Sequence, residues 1–514
     1  MLKKIRIALA TICFAAITLL LLDISGTLHM WFGWLARVQL VPAALAQSFG
    51  VVAGIMLLTL LFGRIYCSVI CPLGVMQDVI SHFAGKKKNR FSFSKDKPVL
   101  RWGFVAAFIL LIATGLNAAA AIIAPYSSYG RIAAELFAPL YIAGNNILSF
   151  IAERVNNYAF YPVDIYIKSL PTFLIAAATF VILFVLAWRG GRTYCNTVCP
   201  VGTVLGLISR ISIFKIRIDK SKCNACTLCE KNCKASCIDS KNHKIDYSRC
   251  VSCGNCIDKC NKHAIGFSFK KSTDKKAAAS ENNINAGRRA FLVGAAAFVS
   301  AAAKTEEKKV DGGLAMLVDK VPPKRDVAVL PPGSGDAASF YAKCTDCMLC
   351  VTKCTNNVLH PSANLLHLMQ PEMSFERGSC RPECTACGDV CPTGAIKPFT
   401  KEEKTSIQIG HAVYIQKNCI TYTDEVNCDN CARHCPTQAI TMVPAHSMEQ
   451  SGEQKHLGKK QSGGRHDEGR RRKPHLIPSI NEARCIGCGI CEYICPARPV
   501  SAIFVQGHEE HKVI

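Results

Sequence analysis

The stretch CNACTLCEKNC at 223–233, followed by CVSCGNCIDKC at 250–260, decides how this chain is read. Both have the spacing Cys-x2-Cys-x2-Cys-x3-Cys. Three thiolates in so tight a loop wrap three corners of a four-iron cluster, and the fourth cysteine reaches a second cluster. Crossed ligation predicts one cluster on Cys223, Cys226, Cys229 and Cys260, and another on Cys250, Cys253, Cys256 and Cys233. Lys234 and Asn261 replace the proline that usually follows the fourth cysteine, which removes no ligand. Cys237 is extra and reads as a structural thiol. The alternating residues 215–219 before the first motif predict a short strand.

Four more motifs lie toward the C-terminus. Cys344, Cys347, Cys350 and Cys354 have the regular spacing, as do Cys485, Cys488, Cys491 and Cys495. Between them, Cys380, Cys384, Cys387 and Cys391 have a wider first gap, and Cys419, Cys428, Cys431 and Cys435 a much wider one. A longer first loop still permits ligation, because closure entropy grows slowly with length. Six motifs account for 24 of the 30 cysteines. Zinc ribbons use separated Cys-x2-Cys pairs rather than runs of four, and a chain of 514 residues is not a small disulfide scaffold. No Cys-x2-Cys-His occurs, so covalent c-type haem is excluded.

Working back toward the N-terminus, four apolar segments, approximately 5–23, 42–62, 102–124 and 170–188, are long enough to span a bilayer. Lys3, Lys4 and Arg6 precede the first, and Arg64, Lys86, Lys87, Lys88, Arg90, Lys95, Lys97 and Arg101 follow the second. The loop after the first carries only Arg37, and that after the third mixes Arg131, Arg154 and Lys168 with Glu135, Glu153 and Asp164. Positive residues stay on the cytoplasmic side, so the N-terminus and residues 195–285 are expected in the cytoplasm. The first segment lacks a small-residue cleavage site and reads as a retained helix. The formal charge of +24 reflects this topology; no nucleic-acid recognition motif accompanies it.

The second and fourth segments end in the same words, GRIYCSVICPLG at 63–74 and GRTYCNTVCPVG at 191–202, seven identities at a constant offset of 128. Such self-similarity suggests two related membrane hairpins. Positions i and i+4 share a helix face, so Cys67 with Cys71, and Cys195 with Cys199, each present two sulfurs one way. Together they form a possible additional site, for a cluster or a metal. Core packing and a redox disulfide are the other readings of the four cysteines, and the sequence leaves all three open. Arg64, Tyr66, Arg192 and Tyr194 are candidates for a quinol site beside it, against a plainer reading as interface anchors.

Gly287-Arg288-Arg289-Ala290-Phe291-Leu292 and the Ala-rich run to 303 resemble an internal twin-arginine export signal. Export would place 304–514 in the periplasm. Residues 305–335 read as linker, and the Gly-, Lys-, Arg- and His-rich 447–478 as a disordered insert. The expected fold is an α-helical four-span membrane domain (1–210) plus α+β ferredoxin-like 4Fe-4S modules: two clusters in 211–270 and four in 336–514, joined by 271–335.

The order of parts resembles two families in one chain. Residues 1–270, with the four spans, the paired Cys-x3-Cys-Pro words and the two-cluster ferredoxin, are similar to NapH-type quinol-dehydrogenase membrane components. Residues 286–514, with the Arg-Arg-x-Phe-Leu signal and four cluster motifs, are similar to the NapG/MauM exported ferredoxins. The NosR-type proteins share the membrane words. The resemblance implies a bacterial cytoplasmic-membrane protein carrying six 4Fe-4S clusters. It implies electron flow from the quinone pool to a periplasmic reductase or cytochrome. It also implies that Cys354 exchanges with Cys495, and Cys391 with Cys435. No nucleophile–base pair or flavin motif stands out, so no catalytic residue is assigned. A redox-sensing maturation or regulatory protein, and a cytoplasm-facing ferredoxin–quinone reductase, are the competing functions.

Overall fold

A computed structural model describes residues 2–23, 27–84, 91–269, 318–424, 426–444 and 476–514. The Arg-Arg segment at 287–303 and residues 447–475 of the insert lie outside the described residues.

Leu2–Leu22 and Leu170–Gly190 are continuous apolar helices of 21 residues each. At 1.5 Å per residue each is about 31 Å long, matching a hydrocarbon core of about 30 Å. The other two expected spans are broken, a correction with a local cause. Segment 42–62 divides into Leu40–Leu45 and Phe49–Phe62 at Gln47, whose φ is +55°. Segment 102–124 divides into Pro98–Ala113 and Asn117–Ile123 at Gly115, φ +77°. Polar Gln47-Ser48 and the left-handed glycine stop each helix. Among the described residues, two helices are therefore long and apolar enough to cross a membrane. The stretch after the third segment is more than a loop. It holds the helix Pro125–Ile132, all of whose residues are buried, a π-turn at Ala133–Phe137 and the helix Ala138–Glu153.

Each Cys-x3-Cys word sits at a break between two helices rather than along one helix, which corrects the i, i+4 expectation. Cys67 lies in the short helix Tyr66–Val69, while Cys71 is extended (φ −71°, ψ 113°) and caps Pro72–Phe83. The second copy repeats this with Thr193–Thr197, Cys199 and Pro200–Ser209. Proline drives its preceding residue out of the helical region and then starts the next helix at its first position.

Among the described residues the strands form five antiparallel two-stranded ribbons. In the first ferredoxin module, β1 (Phe214–Ile218) pairs with β4 (Ile265–Phe269), with Ile216 opposite Phe267, and β2 (Ile238–Asp239) with β3 (Lys244–Ile245). The strand expected before the first motif is β1. In the C-terminal module, β5 (Leu359–Pro361) pairs with β6 (Pro371–Met373), β7 (Ile407–Tyr414) with β10 (Ile503–Val513), and β8 (Ile440–Pro444) with β9 (Leu476–Ile480). Two boundaries shift as a result. Leu476, Ile477 and Pro478, assigned to the insert, belong to β9, where Ile477 is buried. The tail of the expected linker is packed: Val329 and Leu330 are buried, Met373 N–H donates to Val329 O, and Arg325 pairs with Glu492.

The two modules touch opposite ends of the apolar helices. At one end Lys3 pairs with Asp258, Ser252 Oγ donates to Phe62 O, and Arg101 donates to Ser248 Oγ. Arg192 N–H donates to Lys234 O there too. At the other end Asp23 pairs with Lys353, and Arg37 donates to Asp389 O. Asn117 donates to Tyr341 O and Lys168 to Val351 O on that side. All four segments obey this alternation, the first beginning at one module and ending at the other.

Candidate iron–sulfur sites

The four regular motifs share a backbone signature. The second and fourth residues after the first cysteine are left-handed: Ala225 and Thr227, Ser252 and Gly254, Asp346 and Met348, Gly487 and Gly489. Five of these eight are not glycine, so each of the five holds a conformation costing roughly 1–2 kcal/mol. Strain of this kind persists where surrounding structure enforces it and concentrates at functional sites. Here it curls the loop until three sulfurs face one cavity. Among their described residues the two wide-gap motifs lack it, because a longer first loop turns without it.

A second signature follows the fourth cysteine. Three residues on, Ser236, His263, Asn357, Gly394 and Gln438 are again left-handed. The turn points the next N–H groups back at the sulfur. Ala264 N donates to Cys260 Sγ at 3.2 Å, Val358 N to Cys354 Sγ at 3.4 Å and Ile396 N to Cys391 Sγ at 3.4 Å. Ala439 N donates to Cys435 Sγ at 3.2 Å and Ala502 N to Cys495 Sγ at 3.4 Å. Hydrogen bonds to thiolate sulfur are one of the levers by which a protein sets a cluster's potential. At Cys233 the neighbour four residues on is Cys237, with the sulfurs 3.5 Å apart. The extra thiol thus lies at a cluster cavity and is 1 % exposed.

The cavities gather the motif cysteines into sets. One is lined by Cys223, Cys226, Cys229 and Cys260, and its neighbour by Cys250, Cys253, Cys256 and Cys233, with Cys237 beside them. That is the crossed arrangement expected for the first module. In the C-terminal module a cavity is lined by Cys344, Cys347, Cys350 and Cys391. Another is lined by Cys419, Cys428, Cys431 and Cys495. Cys354 lies with Cys380, Cys384 and Cys387, and Cys435 with Cys485 and Cys488. Consecutive motifs therefore exchange their fourth cysteines, Cys354 with Cys391 and Cys435 with Cys495. This corrects the pairing of first with last motif. Its physical basis is local: packing joins Leu349–Lys353 to Ala386–Val390, and Asn430–Arg433 to Ile490–Ile494. Among the described residues no three His, Cys, Asp or Glu side chains converge on a single-ion position. The sulfurs ring cavities instead, which suits a multi-atom cluster.

The paired Cys-x3-Cys-Pro words come together in the helical domain. Cys67, Cys71, Cys195 and Cys199 are each 4–5 % exposed and share one buried core. Each repeat's arginine reaches across to the other. Arg64 Nη2 donates to Cys195 O at 3.0 Å, and Arg192 Nη1 to Cys67 O at 2.6 Å. The closing glycines permit the crossing, since a Cβ on Gly74 would collide with Cys67 O and the Arg192 guanidinium. One on Gly202 would collide with Cys195 O and Arg64. Tyr66 is buried, its hydroxyl donating to Gln39 Oε1 and accepting from Leu40 N; Tyr194 donates to Ile123 O. All four candidate residues are buried, so anchoring at a lipid–water boundary is not their role.

Sequence reading missed Gln77 and Asp78. Arg192 makes a two-pronged pair with Asp78, 2.9 Å on each oxygen, and Lys234 and Arg6 approach the same carboxylate. Burial alone would raise the Asp78 pKa, but Arg192 and then Lys234 outweigh it and hold the carboxyl well below the usual range. Gln77 Nε2 donates to Cys195 Sγ at 3.3 Å. For Asp78 the repeat held a signal: the offset maps it onto Gly206, so the second copy has no matching acid for Arg64. Burial, then neighbouring Cys67, pushes the Cys71 thiol up to about 12, and burial likewise raises Cys195 and Cys199. Metal ligation requires these protons to leave.

Comparison with known proteins agrees with this geometry. Residues 48–90 and 171–220, which carry the two Cys-x3-Cys-Pro words, match a 4Fe-4S binding domain. Residues 426–499 match a 4Fe-4S dicluster domain, spanning Cys428 to Cys495. The ferredoxin-type protein NapF of Escherichia coli K12 is 28 % identical over 36 % of this chain and 90 % of its own length. The methylamine utilization ferredoxin-type protein MauM of Methylophilus methylotrophus is 29 % identical over 34 % and 69 %, respectively. The ferredoxin-type protein NapG of Haemophilus influenzae is 28 % identical over 34 % and 56 %. No solved structure matches significantly. The chain is thus an iron–sulfur electron-transfer protein of ferredoxin type, related over about a third of its length to NapF, NapG and MauM.

Proposed function

We propose that this protein is a membrane-bound wire that takes electrons from quinol and passes them through six 4Fe-4S clusters to a periplasmic reductase or cytochrome. It would be the electron-transfer component of a quinol-dehydrogenase system, combining NapH-like and NapG/MauM-like parts. The 24 motif cysteines would be its ligands. The observation that carries the reading is the attachment of the two modules to opposite ends of the apolar helices, as an up–down topology requires. A second observation supports the membrane. Only 28 % and 22 % of the two long helices' apolar windows are buried, so their remaining apolar faces need a hydrophobic surrounding rather than water. The broken segments fit the same reading, since irregular backbone at membrane depth is tolerated where protein covers it.

When bound, the clusters supply one-electron chemistry. The chain's own residues position the thiolates, donate N–H bonds to sulfur and exclude water from the cavities. The test is quinol-driven bleaching of cluster absorbance in anaerobic membranes, combined with a compartment reporter fused after Ile514. Reduction by a quinol analogue with the reporter in the periplasm supports the proposal. Bleaching with the reporter in the cytoplasm favours a cytoplasm-facing ferredoxin–quinone reductase. No bleaching with full iron content favours the maturation or regulatory reading.

A further inference from the structure

The two modules face opposite ends of the helical domain, and a wire needs something between them. The buried core that holds the four Cys-x3-Cys-Pro cysteines is continuous from one module to the other. Cys67, Cys71, Cys195 and Cys199 belong to the same cluster of buried side chains as Cys347, Leu349 and Val390 of the C-terminal module. Cys253 of the first module and Cys350 of the second pack against that core. On one side Arg64 touches both ends of the step, with Nη2 3.9 Å from Cys67 Sγ and Nη1 3.0 Å from Ser248 O, two residues before Cys250. On the other, Gly130 in the buried Pro125–Ile132 helix lies against the Cys347 backbone so closely that a Cβ would strike it.

The four sulfurs are also dressed as ligands. Gly202 N donates to Cys199 Sγ at 3.3 Å and Gln77 Nε2 to Cys195 Sγ at 3.3 Å, while Arg64 lies beside Cys67 Sγ. These are the same N–H···S contacts that surround the ferredoxin ligands. Arg64 adds an independent sign. It is 0 % exposed, its Nε has no partner, and among the described residues it has no carboxylate partner, Gly206 standing where Asp78 serves Arg192. Without a carboxylate partner a buried guanidinium is costly, and the thiolates within its reach are Cys250 of the first module and Cys67 and Cys195 of the repeats. A thiolate-ligated cluster, which is anionic, supplies the counter-charge.

We infer that Cys67, Cys71, Cys195 and Cys199 hold a seventh iron–sulfur cluster that relays electrons between the cluster on Cys233, Cys250, Cys253 and Cys256 and the cluster on Cys344, Cys347, Cys350 and Cys391. Each step moves one electron: one cluster is oxidised, the next is reduced, and no bond forms or breaks. The inference deepens the proposed wire and depends on it only for which module faces which compartment.

The test compares wild type with Cys67→Ala/Cys195→Ala, both full-length, in inverted vesicles exposed to dithionite, which does not cross the bilayer. The double variant is expected to lose about four irons per chain, one cluster's worth, while the EPR signals of the ferredoxin clusters persist. Its bleaching should fall to roughly two-sevenths of the wild-type amplitude, because only the two clusters of the outward module remain connected. Unchanged iron, or unchanged bleaching with the Ile514 reporter sealed inside, overturns the relay. A reporter on the outside instead refutes the sidedness of the wire, and the iron loss then decides the seventh cluster alone. Should the variant fail to assemble, Mössbauer quantification of wild type decides: seven clusters support the inference and six overturn it.

Discussion

Replacing Arg192 tests the cross-braced helical domain most sharply. Its guanidinium is fully buried, makes two 2.9 Å contacts with Asp78 and holds Cys67 O at 2.6 Å. Arg192→Ala leaves a carboxylate only 13 % exposed with Lys234 at 3.6 Å and Arg6 at 3.5 Å. Breaking a buried pair from one side costs ~3–5 kcal/mol. The two remaining cations place the expected loss at the lower end, about 3 kcal/mol. The four tryptophans, Trp31, Trp34, Trp102 and Trp188, all lie in the helical domain, so denaturation followed by their fluorescence reports this unit rather than the modules. Asp78→Ala should cost a similar amount, and the double variant clearly less than the sum, a coupling of about 2 kcal/mol. A loss below about 1 kcal/mol for Arg192→Ala, or strict additivity, would refute the brace.

Further expectations concern the same residues and the cluster ligands. Because the Asp78 carboxyl is held below its unfolded pKa of about 3.9, its stabilisation is present above that pH and is lost as pH falls toward the folded value. The wild-type tryptophan melt should therefore weaken below about pH 4, and Asp78→Asn should flatten that dependence. Gly74→Ala should destabilise the same unit by roughly 1–3 kcal/mol through overpacking, read by the same melt. Cys391→Ser should disturb the EPR signal of the cluster on Cys344, Cys347 and Cys350 and spare the one on Cys428 and Cys431; loss of the latter signal would restore the first-with-last pairing. Cys237→Ala should retain all iron yet shift the midpoint potential of the adjacent cluster, since a sulfur-contacting group is replaced; an unchanged potential assigns Cys237 to packing alone.

Much of this architecture is legible in the chain because cysteine spacing is a strong constraint. The motifs name the candidate ligands, and the crossed lining of the first module's two cavities was expected from the placing of Cys233 and Cys260. Which of four motifs exchange in the second module was not legible. Partner choice there depends on helix packing between Leu349–Lys353 and Ala386–Val390, which spacing does not encode. Hydropathy located the apolar segments but not their interruptions, because one left-handed residue at Gln47 or Gly115 barely changes a window average. The repeat made a site shared by four cysteines one of three open readings, with Arg64 and Arg192 as candidates beside it. It did not predict the arginines' crossing, which depends on the three-dimensional relation of the copies. Residues 305–335 read as linker from their Lys, Pro and Gly clusters, yet within them Val329 and Leu330 are buried and supply apolar surface to dock.

The most direct measurement is the iron, acid-labile sulfide and zinc content per chain of anaerobically purified full-length protein. About 24 irons are expected from the six ferredoxin motifs and about 28 with the seventh site, with equal sulfide. Zinc in place of iron, with little labile sulfide, would contradict the claim that this chain is an iron–sulfur wire.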